Sequence, residues 1–211
     1  MSSFIHSVTF SNFFNFYNSV EFVFGNGLNI VSAPNGGGKT NFLSGIRWIA
    51  TDELYFGGSI NMSKKVTPGS LCQELIYALN MRAKKEAKVG DIITASVALV
   101  YTDSKKKKFE IVKSFRAEKT DSDINSDKWN FTVEQPRVSQ LDFAAPLLLN
   151  TEKAQTRLNS FIGAQFHAYT LLKGEEIDKT IDFANEASVR QMVESLTNIS
   201  FYKDFLEKLE T

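Results

Sequence analysis

The run Ala33-Pro34-Asn35-Gly36-Gly37-Gly38-Lys39-Thr40 constrains this chain more than any other stretch of it. Adjacent glycines free the backbone to turn its N–H groups toward one point, where side chains would otherwise stand in the way. Directly after them, Phe42, Leu43, Ile46, Ile49 and Ala50 fall on one face of a helix predicted over 39–51. Before them, Leu28-Asn29-Ile30-Val31 reads as a short strand running into the glycines. Strand, glycine loop and amphipathic helix in this order are the context expected of a triphosphate-holding loop. The helix turns its N-terminal amides and positive dipole end toward the phosphates. Lys39 supplies a full charge to the β- and γ-phosphates, and the Thr40 hydroxyl is offered to Mg²⁺. The candidate binding residues are Pro34, Asn35, Gly36, Gly37, Gly38, Lys39, Thr40 and Asn41, with ATP and Mg²⁺ as the expected ligands and Thr40 as the metal ligand. Ala33 stands where the strict pattern has its first glycine, and it is small enough to serve. A glycine turn that merely joins a strand to a helix has no need of Gly-Lys-Thr at the helix start.

The 211 residues suffice for one domain with a core, and 43% hydrophobic with 23% charged residues is ordinary for a globular chain. A formal net charge of zero argues against a strongly basic nucleic-acid module. The single cysteine, Cys72, forms no internal disulfide and suits a reducing compartment; its apolar surroundings read as core rather than as a nucleophile's site. Two histidines, His6 and His167, are too few and too isolated for a metal site or a triad. No signal-peptide pattern and no apolar run of ~18 residues is found. A cytoplasmic protein without a membrane partner is expected.

Along the chain, residues 4–32 read as strands, with Val20, Phe22 and Phe24 in alternation and Gly25-Asn26-Gly27 as a turn. Residues 52–69 read as a loop, and a helix is predicted from Ser70, whose spacing to Gln73 is that of a capping box. Ile93–Tyr101 and Phe109–Phe115 read as strands joined by a polar connection. Residues 116–140 look polar and irregular. Helices are predicted at Thr151–Ile162, Asn185–Leu196 and Phe201–Leu209. Lys105, Lys106, Lys107 and Lys108 are candidate DNA contacts, joined by Lys64-Lys65 and Lys84-Lys85 if the fold gathers them. The plainer reading is a solvated hairpin tip. Asp121, Asp123, Asn125 and Asp127 imitate a calcium loop, but Ser126 and Thr132 replace its glycine and bidentate glutamate.

Asn12-Phe13 near the start of the strand pair, the loop Pro34–Asn41, and Leu171-Leu172-Lys173-Gly174-Glu175-Glu176-Ile177 together carry a resemblance to the ATPase heads of the structural-maintenance-of-chromosomes (SMC) superfamily. Within it the chain is similar to SbcC-type DNA-repair ATPases and DndD-like ATPases of anti-phage systems. Ile46-Arg47-Trp48 and the strand pair around Lys107 extend the likeness over about residues 4–180. The resemblance implies that Asn12 approaches the nucleotide and that Lys173, Gly174 and Glu175 form a Q-loop-like segment. The repair branch has glutamine where Lys173 stands, and a protonated lysine does not coordinate a metal. Phe14 likewise stands where a basic residue often follows Asn-Phe. Neither departure touches nucleotide binding, and both bear on hydrolysis.

The resemblance implies an α/β fold: a P-loop NTPase, specifically an ABC-type half-head with a mixed sheet and an antiparallel β-layer. The N-terminal lobe is expected over 1–184, with the charged helical segment 185–211 as the root of a coiled coil. No Walker B strand ending in Asp-Glu and no signature motif is found; Leu43-Ser44-Gly45 lies inside the predicted loop helix and reads as coincidence. A second head, DNA and an effector such as a nuclease are the implied partners. The alternatives are an ATP-regulated tether with little hydrolysis and a small kinase, for which no arginine-rich lid is found.

Overall fold

The structure, a computed structural model, describes residues 4–57, 62–121, 129–150, 152–154 and 156–157. All fall within the first of the two units into which the chain divides, Met1–Phe161. Lys173, Gly174, Glu175, the boundary at 184–185, the helices expected beyond it and most of the Asp121–Asp127 loop lie outside the described residues.

In chain order the elements are β1 (Phe4–Phe13), β2 (Phe16–Val23), α1 (Lys39–Thr51), β3 (Glu53–Phe56), β4 (Met62–Lys65), α2 (Leu75–Ala78), α3 (Met81–Glu86), β5 (Ile92–Thr102), β6 (Lys108–Lys119), β7 (Trp129–Val133), β8 (Arg137–Gln140) and β9 (Leu147–Leu148). The main sheet runs β2-β1-β5-β6-β8-β9, with β7 also paired to β6, and β3-β4 form a separate hairpin. Every pairing among the described residues is antiparallel, so the parallel part of the expected mixed sheet is not among them.

Alternation makes the sheet. Ala95, Val97, Leu99 and Tyr101 of β5 are buried, as are Phe109, Ile111, Lys113 and Phe115 of β6. Phe10 pairs with Val97, and Val97 with Lys113, so one row crosses three strands. Helix α1 buries Ser44, Gly45, Ile46, Trp48 and Ile49. Its approach to the sheet depends on Gly45: a Cβ there would lie 2.4 Å from Phe10 Cε1 and 3.1 Å from Phe13 Cε1. The phenylalanine-rich composition becomes an aromatic cluster, with Phe10 stacked on Phe16 at 4.5 Å and Phe13 parallel to Trp48 at 5.9 Å. At the far end of α1, the buried Lys113 ammonium donates to the Trp48 carbonyl (2.7 Å) and pairs with Asp52. A cation placed there also complements the helix's negative end. Burial pushes its pKa down and Asp52 opposes the shift.

Four local expectations change. Leu28–Val31 is not a strand: residues 24–38 carry no regular structure, and Leu28 and Ile30 are exposed. The Asn29 side chain accepts from Gly25 N–H (2.9 Å) and donates to the Gly25 and Gly27 carbonyls, which closes residues 25–29 into a turn. The expected loop at 52–69 contains the β3-β4 hairpin, with Gly57 directly after β3. No helix starts at Ser70, whose hydroxyl closes a turn with Thr67; α2 is one turn long and α3 begins after Asn80. Residues 116–140, expected to be irregular, hold the end of β6, β7 and β8.

Candidate functional site

Residues 33–38 lead directly into α1, and glycine is needed at all three of its positions, for two different reasons. Gly36 and Gly38 have φ of 78° and 92°, a region that side chains disfavour. At Gly37 space decides: a Cβ would lie 2.8 Å from Ala33 Cβ and 2.9 Å from the Pro34 carbonyl oxygen. Gly37 N–H closes a turn onto the Pro34 carbonyl at 2.9 Å, so this amide is spent inside the loop. The first helical bond runs from Phe42 N–H to the Gly38 carbonyl (2.8 Å), which leaves the amides of Lys39, Thr40 and Asn41 ahead of the helical ladder. Most helices cover such amides with a capping side chain or place an acid beside them. Here the N-cap is Gly38, which has no side chain to cap with, and the first turn holds no acidic residue.

Lys39 folds back over the loop, its ammonium donating to the Ala33 and Pro34 carbonyls at 2.5 and 3.1 Å. Among the described residues the cation's partners are these neutral carbonyls at the start of the loop, and an anion would compete well for it. Thr40 is exposed in the same turn, so its hydroxyl is open to a metal ion. Donor set, backbone shape and sign of charge all fit a phosphate group. Among the described residues no group of three or more His, Cys, Asp or Glu side chains is gathered as a metal site.

The neighbouring asparagines divide their roles. Asn12 serves the β1–β2 connection: its Oδ1 accepts from Asn18 N–H (3.0 Å) and its Nδ2 donates to the Thr94 carbonyl (3.3 Å). It is Asn15, in the β1–β2 turn, that reaches the loop, donating to the Gly36 carbonyl at 3.0 Å. Asn41, expected at the nucleotide, donates its side-chain amide to Asn15 Oδ1 at 3.0 Å. Sequence reading missed Asn15. Its only signal is a short polar residue beside a bulky residue in a tight turn, where Phe14 takes φ of 47°.

The turn is held from behind. Phe14 N–H donates to the Ala78 carbonyl (2.6 Å), Asn80 Nδ2 to the Phe14 carbonyl (2.7 Å), and Asn80 N–H to the Asn12 carbonyl (2.9 Å). Arg47 extends from α1 to Glu53 at 3.1 Å, tying the helix to β3. Cys72 is buried, and burial with the neighbouring Glu74 pushes its thiol pKa up, as suits a core thiol.

Lys105, Lys106, Lys107 and Lys108 are all exposed at the β5–β6 tip. Asp103 shapes that tip by accepting from Lys105 and Lys107 N–H, both at 2.9 Å. The other lysines named with them do not form one free patch. Lys84 is buried, with its ammonium on the Ile76 carbonyl at 2.9 Å, and Lys64 is paired with Glu74 at 2.5 Å.

A family model described as an AAA domain matches residues 7–210, nearly the whole chain. The chain is also similar to the chromosome partition protein Smc of Desulfitobacterium hafniense, at 32% identity over 75 residues. That stretch is 36% of this chain and 6% of the relative, so the chain matches a small part of that protein's length. Among the described residues no helix is long and apolar enough to cross a membrane.

Proposed function

The chain belongs to the AAA-domain family, and from that premise we propose that it is the N-terminal half of an SMC-type ATPase head, binding ATP with Mg²⁺ through Pro34–Asn41. One observation carries the reading: a glycine-capped helix without acid in its first turn, with the Lys39 ammonium folded back onto the Ala33 and Pro34 carbonyls of the loop that precedes it. In the occupied site, Lys39 leaves the Ala33 and Pro34 carbonyls for the β- and γ-phosphates. The first-turn amides hold phosphate oxygens, and Thr40 contributes its hydroxyl to the metal, whose charge offsets that of the phosphates. A second head or half-head completes the site. The exposed Leu28 and Ile30 just before the loop support a covering segment there. Coupling to DNA binding or to a partner nuclease, in repair or in defence as in SbcC-type and DndD-like proteins, is the finer reading. It rests on the resemblance at Asn12-Phe13, the loop and 171–177.

The second reading, an ATP-regulated tether with little hydrolysis, is favoured by Lys173 standing where the repair branch has glutamine.

Calorimetric titration of the chain with Mg-ATP, beside Lys39→Ala, tests the binding claim. The wild type binds, and the variant binds about 10- to 100-fold more weakly, as loss of a charge-assisted contact predicts. Equal binding by the two proteins, or none by a folded wild type, refutes it.

A further inference from the structure

We propose that Asn15 is a positioning residue for the phosphate loop: it holds the Gly36 carbonyl outward and thereby sets the loop's affinity for a triphosphate. This rests on the nucleotide-binding reading given above. A loop that wraps an anion must present N–H groups inward, and each of its carbonyls turned inward would repel the phosphates. In the structure, Lys39 satisfies the Ala33 and Pro34 carbonyls, and Asn15 satisfies that of Gly36 (3.0 Å). These donors differ in what happens next. Lys39 must abandon its carbonyls to meet the phosphates, whereas Asn15, a neutral amide based on another element, has no reason to move. Asn15 then becomes the side chain that keeps the loop open.

Its aim is fixed from two sides. Asn41, in the first turn of α1, donates to Asn15 Oδ1 at 3.0 Å, which orients the amide so that Nδ2 faces Gly36. Gly38 lies against the other side: a Cβ there would stand 3.4 Å from Asn15 Nδ2, an ordinary packing distance, so the asparagine rests on the start of α1. Behind Asn15, the Phe14 carbonyl is clamped by Asn80, which anchors the turn to α2 and α3. A continuous hydrogen-bonded path therefore joins α3, the β1–β2 turn, the loop crest and the helix that follows. A side chain at position 15 that cannot donate frees the Gly36 carbonyl to turn into the anion site.

The experiment is calorimetry with Mg-ATP on the full 211-residue chain, using wild type, Lys39→Ala, Asn15→Ala, Asn15→Gln, Asn41→Ala and Asn15→Ala/Asn41→Ala. Thermal unfolding of each unliganded protein serves as the folding control. Asn15→Ala binds about tenfold more weakly, the loss of roughly one hydrogen bond's preorganisation. Asn15→Gln, whose longer side chain keeps an amide donor able to reach the Gly36 carbonyl, recovers part of that loss. Asn41→Ala loses less, and the double variant binds no more weakly than Asn15→Ala, because Asn41 acts only through Asn15. Unliganded unfolding midpoints stay within about 2 °C of wild type, well below what a broken core would give. Undiminished binding by Asn15→Ala beside weakened binding by Lys39→Ala overturns this inference and spares the nucleotide reading. Additive losses in the double variant, or no recovery in Asn15→Gln, also overturn it. Wild type that does not bind, or Lys39→Ala that binds equally, overturns both.

Discussion

At Gly45 two opposing effects of a methyl group can be weighed. Alanine in a helix interior is favoured over glycine by about 1 kcal/mol. Against that, the added Cβ would sit 2.4 Å from Phe10 Cε1 and 3.2 Å from Val97 Cγ2. Phe10 is fully buried and held between Phe16 and Phe13, so its ring has little room to give. Overpacking of a tight core costs about 1–3 kcal/mol, so strain wins. Gly45→Ala is expected to lower stability by up to about 2 kcal/mol net, read as a drop in the urea midpoint at unchanged m-value. A raised midpoint would mean that α1 is free to back away from the sheet. Tyr101 gives the second prediction at this scale. It is 2% exposed, and burial pushes its pKa up to about 12, with the Arg157 charge opposing the shift. The unfolded phenol ionises near pH 10 and the folded one near 12. Between these values the folded state binds more protons, so stability is lost as pH rises from 10 toward 12, by about 2–3 kcal/mol. Tyr101→Phe removes this loss. The stability difference between variant and wild type, followed by denaturation against pH, is flat below pH 10 and shifts in the variant's favour above it. A difference that stays constant across that window contradicts a buried phenol.

Among the elements, the junction of α2 and α3 does more than its short helices suggest. Asn80 Oδ1 caps α3 by accepting from Arg82 and Ala83 N–H (2.9 and 3.2 Å), while Nδ2 holds the Phe14 carbonyl. Loss of a cap costs about 0.5–2 kcal/mol, and leaving a buried carbonyl unsatisfied about 1–3. Asn80→Ala is therefore expected to cost about 2–4 kcal/mol in chemical denaturation. Asn80→Ser retains a cap acceptor but is too short to hold Phe14, and falls between. Amide exchange at Arg82 and Ala83 should quicken in the alanine variant more than in the serine variant; equal exchange in both would remove the cap from the explanation. The same junction marks where sequence reading stops. Helix α1 and the strands at Ile93–Tyr101 and Phe109–Phe115 were legible because their burial repeats at 3.6 or 2 residues within one segment. Asn80 and Asn15 act through residues 66 and 21 positions away, and no local pattern announces such meetings. Lys113 sits in a core row of β6 only because Asp52 and the Trp48 carbonyl await it at the end of α1. Leu28 and Ile30 alternate as a strand would, yet the Asn29 side chain competes for the backbone and wins locally. The glycine loop running straight into α1 was legible in the sequence. What the sequence did not disclose was that Gly37 N–H closes the loop's own turn.

For the molecule as a whole, a formal net charge of zero means that attraction to DNA must come from a local patch rather than from the mean field. The structure limits that patch. Lys84 is buried and Lys64 paired, and Lys65 on β4 and Lys85 on α3 are exposed without those partners beside them, so the exposed run is Lys105, Lys106, Lys107 and Lys108 on the β5–β6 tip. The nearby acids are partly engaged: Asp103 pairs with Arg157 at 3.0 Å, and Asp142 accepts from Lys108 N–H at 3.0 Å. The tip's positive field is felt at His6, whose pKa is held below its usual value first by burial and then by the Lys108 charge. If this tip carries DNA binding, about four phosphates are neutralised, and log K against log salt has a slope of about −3 to −4. Binding then weakens by about 10²-fold between 50 and 200 mM salt, irrespective of base sequence. Charge reversal of two tip residues, Lys105→Glu with Lys106→Glu, should make the slope shallower by about 2 while leaving Mg-ATP affinity unchanged, because both side chains lie exposed on the β5–β6 tip and outside Pro34–Asn41. Fluorescence anisotropy with a labelled duplex across a salt series measures both quantities. A slope much steeper than −4, or one indifferent to the two reversals, would move the DNA site off this hairpin and onto surfaces formed with another part of the head.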